Sequence, residues 1–242
     1  ENCVRDDLNK TAARRMAVLN PLKVVITNYP EDKTETLSAA NHPQDESMGE
    51  RDITFSREVY IDHDDFMEVK PNKKFKRLVT DGEVRLRNSY VIKCDEVIKD
   101  GHDNIIELRC SYDPDTLGAN PEGRKVKGVI HWVSAEKGIK AEVRLYDRLF
   151  NHPAPDAASS NKDGGVQDYT AHLNPESMRT LTHCVLEPSL AAAGEGETFQ
   201  FEREGYFCKD PAVTGESSPI FNRTVTLRDS WAKIEQQATQ SG

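Results

Sequence analysis

An all-β chain of small barrels is what this sequence predicts, and three observations predict it. About ten β-prone runs follow one another, separated by turn residues. Helical periodicity is confined to the two ends, so the strand–helix alternation of a nucleotide-binding α/β fold is missing. The 242 residues have room for two small barrels in series, and 36% hydrophobic against 30% charged content suits small barrels better than one large core.

Taken in order, Glu1–Ala17 reads as a helix and its exit. Val4, Leu8 and Ala12 recur at i, i+4 and i+8, with no glycine or proline between. The segment starts in mid-pattern, as a piece of a longer protein would. Asn20-Pro21 breaks the pattern. Leu22–Tyr29 is a β-rich run, Thr34–Gly49 a polar loop, and Ile53–Ile61 one alternating strand. Asp62 can cap a single helical turn to Phe66, whose acids suit its first positions.

Lys73–Lys93 follows. Lys70–Arg77 holds five basic residues and no acid. A turn at Thr80-Asp81-Gly82-Glu83 then joins two β-rich runs, a hairpin signal. Alternation puts Val84 and Leu86 on one face of the second run and Arg85 and Arg87 on the other. A cationic face of this kind can bind RNA, because the arginine fork matches phosphate oxygens and base edges. On this stretch alone, a solvated polar face is the better reading of the same pattern.

Val91–Ile98 and Ile105–Tyr112 form a second hairpin around Lys99-Asp100-Gly101-His102. Asp113–Arg124 is loop, Val126–Val133 and Ala141–Phe150 are strands, and Asn151–Gly165 is a loop or linker. Val185–Leu190, Thr198–Cys208 and Phe221–Leu227 are further strands, with Asp229–Gln237 as a short closing helix. The expected division is a helical segment over 1–15, a first barrel region over 16–120 and a second over 121–242, with strands free to exchange between the barrels.

A net charge of −9 runs against wholesale nucleic-acid binding, so any RNA contact must come from locally clustered cations. No run reaches the length of a membrane span. The five cysteines are scattered without a Cys-x-x-Cys, which fits a reducing cytoplasm and neither a disulfide framework nor a zinc site. No phosphate-cradling glycine loop and no histidine pair at ligand spacing appears. Asp62-His63-Asp64-Asp65 has metal-friendly residue types, but four consecutive residues cannot all face one ion, and a capped surface turn accounts for them. His131, in a β run beside Trp132, reads as a satisfied core or edge histidine. No self-contained catalytic site emerges and no metal or cofactor is expected.

Phe199–Phe207 offers more. Phe199 and Phe201 share one face, Gln200 and Glu202 the other, and a glutamine amide can both donate to and accept from a base edge. Arg203 has the parity of the phenylalanines. It must therefore sit at a strand end or bend, or be buried with a partner such as Glu202 or Glu204.

Several long blocks carry a resemblance: DDLNKTAARRMAVLNPLKVVI, FKRLVTDGEVRLRNSYVIK, GRKVKGVIHWVS, VRLYDRLF, FQFEREGYFC and FNRTVTLRDSWAK. Together they resemble the anticodon-binding region of bacterial glutaminyl-tRNA synthetases, a family of class I aminoacyl-tRNA synthetases, from Arg5 to about Lys233. The resemblance implies two β-barrels related to a ribosomal-protein barrel. It also implies that the catalytic part, with its HIGH-type and KMSKS-type motifs and its ATP and magnesium, lies outside this chain, which would be inactive alone. The implied partner is the anticodon loop of tRNA(Gln), bound by a cytoplasmic monomer. Arg14 and Gln200 match positions that hold the middle anticodon base, a uracil, and Arg77 a position associated with the third, a guanine. Arg85 matches one associated with the first base. Arg87 and Arg203 fall within matched blocks. Lys74 stands where the family often has glutamine, which keeps a donor and loses an acceptor. Archaeal and eukaryotic glutamyl-tRNA synthetases also carry paired barrels. Outside the class, a β-barrel protein-interaction module could dock through the same basic stretch.

Overall fold

A computed structural model describes residues 1–155, 168–211 and 218–228. One α-helix, α1 (Asn2–Thr11), precedes β1 (Ala13–Arg15), β2 (Ala17–Val18), β3 (Pro21–Ile26), β4 (Thr34–Ala40), β5 (Glu50–Ser56) and β6 (Glu58–Asp62). There follow β7 (Phe66–Met67), β8 (Leu78–Val79), β9 (Glu83–Leu86), β10 (Val91–Lys99), β11 (Ile105–Asp113), β12 (Val129–Ile130) and β13 (Val133–Ser134). The rest are β14 (Ile139–Tyr146), β15 (Met178–Leu186), β16 (Thr198–Phe201), β17 (Gly205–Lys209) and β18 (Ile220–Val225). No helix among the described residues is long and apolar enough to cross a membrane.

The strands form two barrel-like sheets, as the sequence predicts. The first runs β12-β9-β10-β11-β3-β6-β13 and the second β1-β16-β17-β18-β14-β15-β2. In each, the two edge strands are near neighbours in the chain. Only His131 and Trp132 separate β12 from β13, and only Met16 separates β1 from β2. One short segment thus touches both edges of its own sheet, which forces the sheet to curl and covers edges that would otherwise be exposed. Trp132 anchors the first of these segments. Its ring is buried edge-on to Phe55 at 5.3 Å, and its indole Nε1 donates to the Arg87 carbonyl at 2.8 Å.

Met16–Leu19 is a wall between two cores. Met16 and Val18 pack with Leu22, Val24 and Ile61 on the first side; Ala17 and Leu19 pack with Val143 and Leu186 on the second. The period-2 alternation of extended backbone divides the four residues this way. The wall is braced by a buried ion pair. Glu187 takes a bidentate contact from Arg51 of β5, at 2.6 and 3.0 Å, and its Oε2 accepts the Met16 N–H at 2.8 Å.

Several expectations are corrected. The helix ends at Thr11 rather than near Ala17, because Ala13–Arg15 pairs in parallel with Phe199–Phe201. Thr34–Gly49 is not all loop: Thr34–Ala40 pairs antiparallel with Glu50–Ser56, its Leu37 and Ala39 facing the core among polar neighbours. Ile53–Ile61 belongs to two strands parted at Arg57. The turn at Asp81-Gly82 exists, with Gly82 N–H on the Val79 carbonyl at 2.9 Å, yet its flanks do not pair with each other. β8 instead pairs with β7, and β9 pairs with β10 and β12. Gly128 explains part of this: a Cβ there would lie 2.3 Å from the Lys76 carbonyl, so the 128–130 strand passes directly against the basic segment. Val126–Val133 becomes two short strands at opposite sheet edges. Strand β15 starts at Met178, and Pro188–Ala192 is a short 3-10 turn. Thr198–Cys208 is a hairpin rather than one strand. The expected helix Asp229–Gln237 lies outside the described residues.

Replacing Glu187 by alanine leaves Arg51 buried without its counter-charge and the Met16 N–H without its acceptor. The expected loss is about 3–5 kcal/mol of unfolding free energy. Chemical denaturation of both proteins measures it.

Candidate nucleic-acid interface

The β16–β17 hairpin turns through Glu202–Glu204. Arg203 adopts φ 70°, and Glu204 N–H closes the turn on the Phe201 carbonyl at 3.0 Å. This places Arg203 at a bend, as its parity requires. Its partner is neither Glu202 nor Glu204, however, but Asp65 of the first barrel region, whose two oxygens accept from Nη1 and from Nη2, the latter at 2.6 Å. Asp65 is almost wholly buried, and Arg77 also reaches it, Nε to Oδ1 at 3.3 Å, while donating to the Asp64 carbonyl at 2.6 Å. Arg203 loses hydration in this setting, yet the hydrogen bonds and charge of Asp65 hold its guanidinium above the usual arginine value.

The network continues inward. Arg203 Nη1 lies 3.3 Å from His131 Nδ1, and His131 Nε2 lies 2.7 Å from Asp62 Oδ2. The other Asp62 oxygen accepts the Asn20 N–H at 2.7 Å. Both ring nitrogens of His131 therefore have a partner, Arg203 at Nδ1 and Asp62 at Nε2. His131 is thus the satisfied core histidine expected of it. Asp62 does not cap the turn after it, because its carboxylate is committed to His131 and Asn20. Asp62, His131 and Glu204 offer ligand atoms within 4.8 Å of one another. Both His131 nitrogens are already engaged, and the Arg203 guanidinium supplies the positive charge that a cation would bring, so the donor set fits a hydrogen-bond network better than a metal. Burial pushes the Glu204 carboxyl up, opposed by His131 and reinforced by Asp62.

Gln200 and Arg14 meet on the outer face of the second sheet. Parallel pairing of β1 with β16 makes them register partners, and antiparallel pairing sets Tyr206 beside Gln200. Arg14 is buried and donates to the Ala12 carbonyl at 2.7 Å and the Asn9 carbonyl at 2.9 Å, sealing the end of α1. Burial holds its guanidinium below the usual arginine value, with Tyr206 and Glu202 opposing. The Oε1 of Gln200 is buried and has no hydrogen-bond partner among the described residues.

The remaining sequence-predicted residues are dispersed. Arg87 lies 3.6 Å from Glu202, so Arg77, Arg87 and Arg203 gather round the β16–β17 turn. Arg85 points elsewhere: it donates to the carbonyls of Ser89 at 2.9 Å, Thr116 at 2.6 Å and Ala119, tying down the loop after β11. Lys74 is exposed on the basic loop, whose backbone is held by Asn72 Oδ1 at 2.9 Å. Sequence reasoning missed Asp65 as the organising carboxylate. Only the odd parity of Arg203 signalled that some buried partner existed.

Glu204 makes stability pH-dependent. At about pH 4 and below, its carboxyl is mostly protonated both folded and unfolded; as pH rises through its raised folded value, ionisation penalises the folded state. Glu204→Gln is therefore expected to raise the melting temperature at about pH 7.5 and to change it little at about pH 4. Thermal melts across that range test the sign.

Two family models cover most of the chain, both described as the anti-codon binding domain of class I (E and Q) tRNA synthetases. One matches residues 12–113 and the other residues 129–210. Glutamine–tRNA ligases are among the relatives: that of Pseudomonas putida is 60% identical and that of Pseudomonas syringae pv. tomato 58% identical, each over 96% of this chain. That of Vibrio campbellii is 55% identical over 98% of it. The chain spans only 40%, 39% and 41% of those three proteins. Paired barrel-like sheets, their arginine-rich junction and these matches lead to one conclusion: the chain belongs to the anticodon-binding domains of the class I tRNA synthetases for glutamate and glutamine.

Proposed function

We propose that this chain reads the anticodon loop of tRNA(Gln). It does so for a longer enzyme, a cytoplasmic monomer that attaches glutamine to that tRNA at the expense of ATP. ATP and magnesium act in the part of the enzyme outside these residues, and this chain contributes binding alone. The names of the relatives support the glutaminyl over the glutamyl reading.

The observation that carries the proposal is the Gln200 amide. A buried acceptor without a donor costs about 1–3 kcal/mol; Gln200 Oε1 has no donor among the described residues, and its strand position pairs with that of Arg14. The middle base, uracil, presents one imino donor flanked by two carbonyl acceptors. An amide that accepts and a guanidinium that donates complement that edge, provided the base is unstacked, as bases in single-stranded loops are. Arg77, beside the junction, would take the acceptors of the third base, guanine. Arg203 would hold a wall of the gap between the barrels, and Arg87 would act beside it at the β16–β17 turn. Arg85 would act on the first base through the loop it tethers, and Lys74 would meet phosphate.

Competition binding tests this reading, with a labelled tRNA(Gln) anticodon stem-loop displaced by loops altered at one anticodon base each. Alteration of the middle base is expected to weaken competition by about 10–100-fold, and Gln200→Ala to abolish that discrimination. Lys74→Ala should weaken all loops equally and slightly. Equal competition by every loop against the wild-type chain would overturn the proposal.

A further inference from the structure

The gap between the barrels, with a volume of about 1210 Å³, carries cations beyond those proposed to read the bases. They lie on the second sheet. β14 pairs Leu145 with Arg179 of β15, and on its other side Arg144 with Asn222 of β18, which sets Leu145 beside Arg223. β18 in turn pairs Arg223 with Phe207. Register partners on neighbouring strands share a face. Phe207, Arg223, Leu145 and Arg179 therefore form one row, and all four line the gap.

Of the two arginines in this row, only Arg223 has a polar partner among the described residues. Arg223 donates to the Tyr146 carbonyl at 3.0 Å, and Arg179 makes no hydrogen bond or ion pair among the described residues. Burial holds the Arg223 guanidinium below the usual arginine value; Asp147 opposes this and the charge of Arg179 adds to it. The two arginine backbones stand two strand steps apart, roughly 10 Å, so their long arms can converge over Leu145. Of the acids that line the gap, Asp65 holds Arg203 and Arg77 and Asp62 holds His131, while Asp147 and Glu204 act on Arg223. Two neighbouring cations over an apolar floor, one of them without a counter-charge among the described residues, make a site for an anion with an apolar side.

We infer that the Arg179–Leu145–Arg223 row binds the phosphodiester backbone of an RNA strand lying in the gap. The inference rests on the anticodon-loop reading and adds to it a contact that is blind to base identity. Arg179 and Arg223 take phosphate oxygens from either side, and Leu145 forms the apolar floor between them.

Arg179→Ala in the 242-residue chain is the direct test, since Arg179 is exposed and its side chain makes no hydrogen bond or ion pair among the described residues. The dissociation constant for the tRNA(Gln) anticodon stem-loop is measured over a salt series. Arg179→Ala is expected to weaken all loops alike, about 3–10-fold, and to flatten the slope of log K against log salt by about 0.7–0.9. Arg179→Lys should restore the slope. Arg109→Ala removes an equally exposed arginine from β11, outside the gap, and should leave the slope as it was. A wild-type slope for Arg179→Ala, or an equal flattening by Arg109→Ala, would overturn the inference. A wild type that binds all loops equally would remove the base-reading proposal, while the slopes would still decide the backbone row.

Discussion

A single carboxylate joins the two barrels. Asp65 stands on a short turn after β6, almost fully buried, and a carboxylate taken that far from water needs cations at hydrogen-bond distance. Arg203 supplies them from the other barrel through a two-toothed contact, and Arg77 adds a third approach from the basic segment. His131 and Asp62 extend the network into the segment that touches both edges of the first sheet. The bend of the β16–β17 hairpin and the position of Arg77 are therefore tied to one charge. Withdrawing either partner would strand the other in the junction, at a cost of about 3–5 kcal/mol.

The apolar part of the fold is arranged round the same junction. Met16–Leu19 serves both cores because its residues alternate, so neither barrel has a wall of its own there. Glu187 and Arg51 brace that wall from the side of the β4–β5 hairpin. A domain of two loosely linked barrels would hinge at such a place. Here the shared wall, the Glu187 pair and the Asp65 pair oppose a hinge, and shear between the barrels would expose apolar and charged groups together.

An acidic chain can present a cationic surface when its acids are used as struts. Asp62, Asp65 and Glu187 face inward and are consumed by internal contacts. Arg77 and Arg203, held by Asp65, still keep part of their side chains exposed, in the planar geometry suited to bases and phosphates. This reconciles a net charge of −9 with an arginine-lined gap. It also sorts the arginines: Arg85 is spent on three loop carbonyls, whereas Arg77 and Arg203 keep an exposed flank at the junction.

What the sequence by itself determined is the local register of side chains. Alternation put Val84 and Leu86 in the core with Arg85 and Arg87 outside, and the odd parity of Arg203 required a bend, because a strand offers only two faces. Long blocks of characteristic residues were enough to indicate the family. The tertiary structure alone decided which strands pair across the chain and which charges meet. Asp65 and Arg203 are 138 residues apart, and β12 and β13 reach opposite edges of one sheet although they are adjacent in sequence. The Asp81-Gly82 turn looked like a hairpin for the same reason: turn chemistry is local, but a strand takes whichever neighbour buries its apolar face and satisfies its amides. That choice is a property of the closed sheet as a whole, and no window of residues contains it.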